Sequence, residues 1–296
     1  MIIFDGKKQA GKILENLKRE IKERKIKPNL AIISIEPDFS SKLYVRLKQE
    51  AAKKIGVQTI VYRFTKNDKE EKIIRKIKNI NSDSSIDGII VQLPIPKKFN
   101  ENRIILSIDP RKDVDGFHQK NRMLLKRGDP YFLPVLPSVI FFALKVACIK
   151  DIRLSSGETF VERKRKKSKR IVALVNSDIF GNTLKDFFKR EGVEINYFIK
   201  SKYSASQVKE IIQNADTVIS VLGCPRFINR NMIKNGVILI DAGISRCKKK
   251  TVGDVDRQSV EGRASFLTPV PGGLGPLTVA LLLKNVTLSA SYTRNS

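Results

Sequence analysis

Three short runs of this 296-residue sequence place polar side chains where they could act on a bound molecule. Ser41, Tyr44 and Lys48 stand at i, i+3 and i+7, so on a helix they share one face, with the ring and the amine one turn apart. A lysine flanked by a ring can act on a substrate; the same spacing also describes an amphipathic edge with the lysine stem lying on the ring. Gln92 closes the apolar run from Ile86 to Leu93, directly before Pro94 and Pro96, and ligands of open α/β sheets collect at such carboxyl ends. An amide that merely ends an ordinary strand fits as well. Asp113 and Asp115 sit at i and i+2 in a turn closed by Gly116, a spacing compatible with hydrogen bonds to a nitrogenous ring or with a simple Asx turn. The further oxygen ligands of a calcium loop are missing, so no metal site is expected. Pro269 to Pro276 holds three glycines and three prolines, a backbone fixed in shape and bare of side chains that a flat ligand can approach closely.

The elements that must position these groups alternate apolar runs with helical periodicity, the pattern of parallel strands joined by right-handed crossovers. Ile13, Leu14, Leu17 and Ile21 mark one helix face, Leu30 to Ile35 forms a β-branched run, and Ser40 or Ser41 caps a helix reaching Ile55. Val57 to Phe64 reads as a strand, Asp68 to Ile80 as a helix, and Ile86 to Leu93 as the next strand. A helix near Ser138 to Cys148 precedes the charged stretch Ser155 to Lys169. Beyond it, Ile171 to Val175, Ile195 to Ile199, Thr217 to Leu222 and Val237 to Ile240 have Rossmann-like spacing, and an apolar helix from Leu277 to Ala290 closes the chain.

Composition narrows the chemistry. The single histidine, His118, argues against Ser/His/Asp triads, HExxH zinc sites and His-rich clusters, so acid–base work falls to Lys, Asp, Glu or Tyr, and His118 itself reads as structural. Cys148, Cys224 and Cys247 are odd in number and widely spaced, which suggests buried thiols rather than disulfides or a zinc knuckle. The net charge of +27 is mostly dispersed over predicted helix faces such as Lys7 to Lys25 and Lys66 to Lys78. The exception, Arg163 to Arg170, has seven basic residues of eight and reads as a surface loop rather than a nucleic-acid site. No uninterrupted apolar stretch approaches the roughly 20 residues of a membrane span, and Met1 to Asp5 is too short and too soon acidic for a secretory signal. A cytoplasmic protein with no membrane partner is expected.

In this order and at these separations the segments resemble the bifunctional methylenetetrahydrofolate dehydrogenase/methenyltetrahydrofolate cyclohydrolase family. The resemblance runs from Asp5-Gly6-Lys7 through Ser41, Tyr44, Val45 and Lys48, Asp87-Gly88 to Pro96, and Lys112-Asp113-Val114-Asp115-Gly116-Phe117-His118. It continues through Ala215-Asp216 to Gly223, Gly236 to Ile244, Val252-Gly253-Asp254-Val255, Ala264-Ser265-Phe266 and Thr268 to Ala280. It implies an α/β fold of two domains: an N-terminal catalytic domain over 1–136, completed by a returning C-terminal helix over 271–296, and a Rossmann-like NAD(P)-binding domain over 137–270. It also implies that Lys48, Tyr44, Gln92 and Asp115 are catalytic in a cleft between the domains, with Tyr44 stacking on the folate, Gln92 bonded to the lysine and Asp115 holding the pterin. Ser41, Val91, Leu93, Pro271, Gly272 and Gly273 would contact substrate; Val175, Asn176, Ser177, Gly181, Gly223 and Ile244 would contact NADP or NAD. A homodimer acting on tetrahydrofolate derivatives in one-carbon metabolism and purine biosynthesis is what the family implies.

The departures fall at the dinucleotide site. The family's Gly-x-Ser turn reads Val175-Asn176-Ser177, where a β-branched side chain is expected to crowd the cofactor and the basic residue that favours NADP is replaced by Asn176; a family proline after Gly181 is Thr183. The family's Pro-Cys-Thr-Pro-x-Gly segment reads Pro134-Val135-Leu136-Pro137-Ser138-Val139. Two enzymatic readings follow. One is the full NADP-dependent dehydrogenase and cyclohydrolase; the other is a cyclohydrolase whose dehydrogenase is impaired or uses NAD. A nucleic-acid-binding protein without catalysis is the remote third.

Overall fold

The computed structural model describes residues 1–37, 39–149, 170–247 and 250–293. The charged stretch Ser155 to Lys169, and with it all of the basic run except Arg170, lies outside these residues. The chain forms two compact units, residues 7–136 with 276–296 and residues 137–275 with 1–6. The expected partition put the first six residues with the N-terminal domain. Here they leave it, because the strand β1 (Ile2–Ile3) pairs in parallel with a strand near the other end of the chain, Ala264–Leu267, and Phe4 N–H donates to Leu267 O at 2.9 Å.

The unit that carries Lys48 runs α1 (Gly6–Glu23), β2 (Asn29–Ile35), α2 (Phe39–Ile55), β3 (Gln58–Phe64), α3 (Glu70–Asn81), β4 (Gly88–Val91), α4 (Glu101–Ile105) and α5 (Gln119–Arg127), followed by α6 (Val135–Ile149) at the boundary. Its parallel sheet has the order β3-β2-β4, and β2, buried along its whole length, is the central strand that its largely apolar run predicts. Because side chains alternate across a strand, β2 feeds two cores. Leu30 and Ile32 pack with Leu17, Ile21, Ala52 and Ile55; Ala31, Ile33 and Ile35 pack with Ile73, Ile77 and Ile80, the buried stripe of α3. Each such isoleucine contributes roughly 1.5–3 kcal/mol by leaving water. The helix over Leu274–Thr293 closes the first of these cores.

The other unit continues with β5 (Ile171–Val175), α7 (Asp178–Arg190), β6 (Asn196–Ile199), α8 (Ala205–Ile212), β7 (Thr217–Val221), β8 (Val237–Asp241), β9 (Ser245–Cys247), β10 (Lys250–Val252), α9 (Arg257–Val260) and β11 (Ala264–Leu267), and then α10 (Leu274–Thr293) crosses back. Six parallel strands lie in the order β1-β11-β8-β7-β5-β6, with β9 and β10 as a separate antiparallel pair. The chain goes from β5 outward to β6 on one side and then to β7 on the other, so the topological switch point falls between β5 and β7. α10 is longer than the predicted 277–290 and is the one described helix long and apolar enough to cross a membrane; 61% of that stretch is buried inside the protein. Val279, Leu282, Leu283 and Val286 pack into the core shared with α1 and β2, which accounts for its apolar composition.

Candidate active site

The helix α2 does present Ser41, Tyr44 and Lys48 along one side, and β4 delivers Gln92 to meet them. Gln92 N–H is held by Ile33 O at 2.9 Å as the strand ends, and its Oε1 accepts from Lys48 Nζ at 2.9 Å. The other end of the amide donates from Nε2 to Leu93 O at 2.8 Å, and Ser41 Oγ donates to the same carbonyl at 3.4 Å. Gln92 is thus fixed at both ends, and the lysine is offered an acceptor that carries no charge. Lys48 is only 7% exposed. Burial pushes its ammonium below the ordinary lysine value, with the Asp115 carboxylate opposing that shift. Asp115 is itself raised to about 6, chiefly by burial, with Lys48 pulling it down and Asp113 pushing it up. Burial raises the Tyr44 phenol to about 12, so it stays neutral. The result is an amine whose charged form burial disfavours, a neutral ring and a carboxyl group in electrostatic reach of the amine.

The turn that carries Asp115 is built by Asp113. Its buried carboxylate accepts from Gly116 N–H at 3.2 Å, His118 N–H at 2.8 Å and Asn121 Nδ2 at 2.9 Å. Gly116 has φ +80°, and a Cβ there would lie 2.7 Å from Pro134 Cα, so only glycine fits. His118 caps α5, its Nδ1 accepting from Lys120 N–H at 3.0 Å, which agrees with a structural reading. Two residues expected to contact substrate pack their side chains inward. Val91 is buried in the core with Ile33 and Ile89, so its side chain serves packing, and Leu93 contributes its carbonyl while its side chain packs on that same core.

In the other unit the predicted dinucleotide residues gather at the carboxyl ends of the central strands. Ser177 caps α7, its Oγ accepting from Phe180 N–H at 3.3 Å, so the amino end of a 13-residue helix opens just after β5. A Cβ on Gly181 would lie 2.4 Å from the Tyr197 ring, the close helix-to-strand packing for which dinucleotide folds use a glycine. Gly223, exposed at φ +64°, follows β7, with Ile244 O beside it after β8. The expected crowding by Val175 is overturned. Its side chain is fully buried within β5, leaving only main chain at the strand end. Asn176 Nδ2 reaches across the switch point to donate to Leu222 O at 2.6 Å, tying the two loops together. A helix amino end, bare main chain and a positive-φ glycine at a switch point fit a dinucleotide.

Pro271, Gly272 and Gly273 belong to this same unit. Gly6 N–H donates to Gly272 O at 3.1 Å, and a Cβ on Gly6 would collide with Gly273 O. The Asp5-Gly6 segment at the front of the chain thus braces the bend, a link sequence reading missed because the partners are over 260 residues apart and both are main chain. The cysteines form no disulfide and are half-buried rather than buried. Among the described residues no cluster of three or more His, Cys, Asp or Glu could hold a metal ion.

Comparison with known proteins gives the same reading from outside. The profile of the tetrahydrofolate dehydrogenase/cyclohydrolase catalytic domain matches residues 4–115, and that of its NAD(P)-binding domain matches 159–294. The bifunctional protein FolD of Nautilia profundicola is 37% identical over 98% of this chain and 97% of its own, and that of Campylobacter concisus 34% over 98% of each. The crystal structure of FolD from Campylobacter jejuni, 33% identical, covers 99% of both chains with a TM-score of 0.81. A Trypanosoma brucei enzyme described as complexed with NADP and inhibitor, 26% identical, covers 100% of this chain and 99% of its own with a TM-score of 0.83. Full-length agreement in sequence, together with Lys48, Gln92 and Asp115 gathered as described, means that this chain belongs to the tetrahydrofolate dehydrogenase/cyclohydrolase family.

Proposed function

We propose that this family member oxidises 5,10-methylenetetrahydrofolate to 5,10-methenyltetrahydrofolate with NADP and hydrolyses the product to 10-formyltetrahydrofolate. The observation that carries the hydrolytic half is the buried Lys48 amine bonded to the uncharged Gln92 and opposed by Asp115. A neutral Lys48 takes a proton from the water that adds to the cationic methenyl carbon, and the adduct opens by cleavage of its carbon–N5 bond as the proton passes to N5; Gln92 keeps the amine aimed, Tyr44 lies against the folate ring, and Asp115 accepts from pterin N–H groups. Ser41 and the Leu93 carbonyl would complete the substrate contacts on this unit.

NADP supplies the acceptor for the hydride leaving the methylene carbon. Ser177 and the amino end of α7 would hold its diphosphate, Gly181 keeps that helix close to the sheet, and Gly223 and Ile244 would offer further main-chain contacts. No acidic residue follows β6, where NAD-binding folds hold the ribose hydroxyl; Lys200-Ser201-Lys202 stands there, which supports NADP although Asn176 is uncharged. Burial of Val175 weakens the reading with an impaired or NAD-dependent dehydrogenase, which then rests on Asn176 and the rest of the altered turn. A spectrophotometric assay with NADP and NAD in parallel tests the proposal: reduced dinucleotide forms faster with NADP, and no signal with either removes the dehydrogenase.

A cytoplasmic homodimer supplying 10-formyltetrahydrofolate to purine biosynthesis, with no nucleic-acid partner, completes the reading. The edge strand β3 supports the dimer, since its exposed Ile60, 39% accessible, and open edge offer a template to a second copy. Light scattering should return twice the chain mass, and Ile60→Lys should lower it.

A further inference from the structure

Two fully buried acids stand behind the dinucleotide end of the sheet, Asp254 at 0% and Asp241 at 2% exposure. Asp254 Oδ2 accepts from Ser220 Oγ and from Leu222 N–H, each at 2.7 Å, and its Oδ1 accepts from Cys224 N–H at 2.7 Å. One carboxylate therefore gathers the main chain on both sides of Gly223 and shapes the whole turn after β7. Asp241, at the end of β8, does the same for the segment that carries Asp254: it accepts from Gly243 N–H at 2.9 Å, Asp254 N–H at 3.1 Å and Val255 N–H at 2.9 Å.

The two acids are interlocked through each other's glycines. A Cβ on Gly243 would lie 2.0 Å from Asp254 Cγ, and one on Gly253 would lie 2.0 Å from Asp241 Oδ2. Each acid occupies space that only the glycine beside the other leaves open. The arrangement carries a cost, because burial and the neighbouring Asp254 charge push the Asp241 carboxyl up to about 7. A turn that needed only to be stable has cheaper solutions in exposed Asx or glycine turns. What this costlier one achieves is a fixed shape for Leu222 to Cys224, whose Leu222 O is the acceptor for Asn176 across the switch point.

Resting on the dinucleotide reading above, we propose that Asp254, held in place by Asp241, is a positioning residue that sets the Leu222–Cys224 loop, and through Asn176 the loop after β5, to receive the dinucleotide. Its hydrogen bonds go to Ser220 and to the main chain of the turn, none to a group that takes part in proton transfer. Its loss weakens dinucleotide binding and leaves the hydrolytic half-reaction alone.

The test uses the full chain and reads NADPH binding by fluorescence titration beside cyclohydrolase turnover of methenyltetrahydrofolate without dinucleotide. In Asp254→Asn the shape is kept, but an NH2 group faces a main-chain N–H that has lost its acceptor; the Kd for NADPH should rise about tenfold or more, with the KM for NADP following it. Ser220→Ala removes one donor and nothing else, and should raise that Kd about threefold. Cyclohydrolase turnover should stay within about twofold of wild type in both. Wild-type NADPH affinity in both variants overturns the proposal. So does a parallel loss of cyclohydrolase turnover, which would show a general structural role. The wild type is measured first: if it neither binds NADPH nor turns over folate, the functional reading itself has failed, and this proposal falls with it.

Discussion

The two units solve the problem of placing a small molecule in opposite ways. Around Lys48 the proposed work falls to side chains of different character, an amine, an amide, a phenol and a carboxylate, supplied by α2, the end of β4 and the turn after α4. At the ends of β5, β7 and β8 the protein offers main chain, and side chains such as the half-buried Ser177 and the buried Asp241 and Asp254 hold that main chain in shape. Chemistry that must move a proton needs a titratable group under control, whereas hydride transfer needs two partners placed in line and little else. A substitution on the Lys48 side should therefore cost turnover, and one on the dinucleotide side should cost affinity.

The largest break in that contrast comes from Lys48→Met, which keeps the length and apolar character of the stem and removes only the amine. Cyclohydrolase turnover should fall by about 10²–10⁴-fold, the usual worth of a positioned acid–base group, with NADPH affinity and thermal unfolding near wild type. Hydrolysis near the wild-type rate would remove Lys48 from the mechanism. Its mirror image is Gly181→Ala. The added Cβ meets the Tyr197 ring, so α7 must shift on β6 at a cost of about 1–3 kcal/mol, lowering the melting temperature and weakening NADPH binding. Methenyltetrahydrofolate hydrolysis should persist; loss of both activities would show that the two units do not divide the labour as described.

How much of this was legible follows the same division. Ser41, Tyr44 and Lys48 could be placed on one helix face because helical spacing is a local property, and β5 was found at its full Ile171–Val175 extent because a buried parallel strand is an unbroken apolar run. The same feature hid the orientation of Val175. When both faces of a strand are apolar, no alternation says which way a side chain turns, and crowding of the cofactor was expected from a residue that lies in the core. Asp113, Asp241 and Asp254 were visible only as parts of motifs, since their partners are mostly main-chain N–H groups, which every residue but proline carries. β1 is two residues long and its partner lies near the far end of the chain, so no pattern announces it.

The pH dependence sharpens the Lys48 side further. The Asp115 carboxyl, raised to about 6, is neutral below that value and ionised above it, and only the ionised form accepts from two pterin donors. The lowered Lys48 value acts in the same direction, because the free amine becomes more abundant as pH rises. Cyclohydrolase kcat/KM should therefore climb with pH through about 6 and fall on the acid side. Tyr44, pushed up to about 12, adds no alkaline loss in the ordinary range. Replacing Asp115 with Asn should remove the titration near 6 along with most of the substrate affinity. A profile unchanged in that variant would mean that another group titrates.

The smallest effect belongs to cofactor choice, where the proposal does give the dinucleotide side a use for charge. Lys200 and Lys202 lie just after β6, and Lys202 Nζ is 3.8 Å from the Asp178 carboxylate, a loose surface pair that leaves its charge available to an anion. Because such a cation is solvated and screened, it contributes only a few-fold to binding of a phosphate, and the contribution shrinks with added salt. Lys202→Glu should lower kcat/KM with NADP by about fivefold, leave the value with NAD within about twofold, and narrow the gap between wild type and variant as salt rises. An equal loss with both dinucleotides would place the discrimination elsewhere on this unit, and the uncharged Asn176, already committed to Leu222, could not supply it.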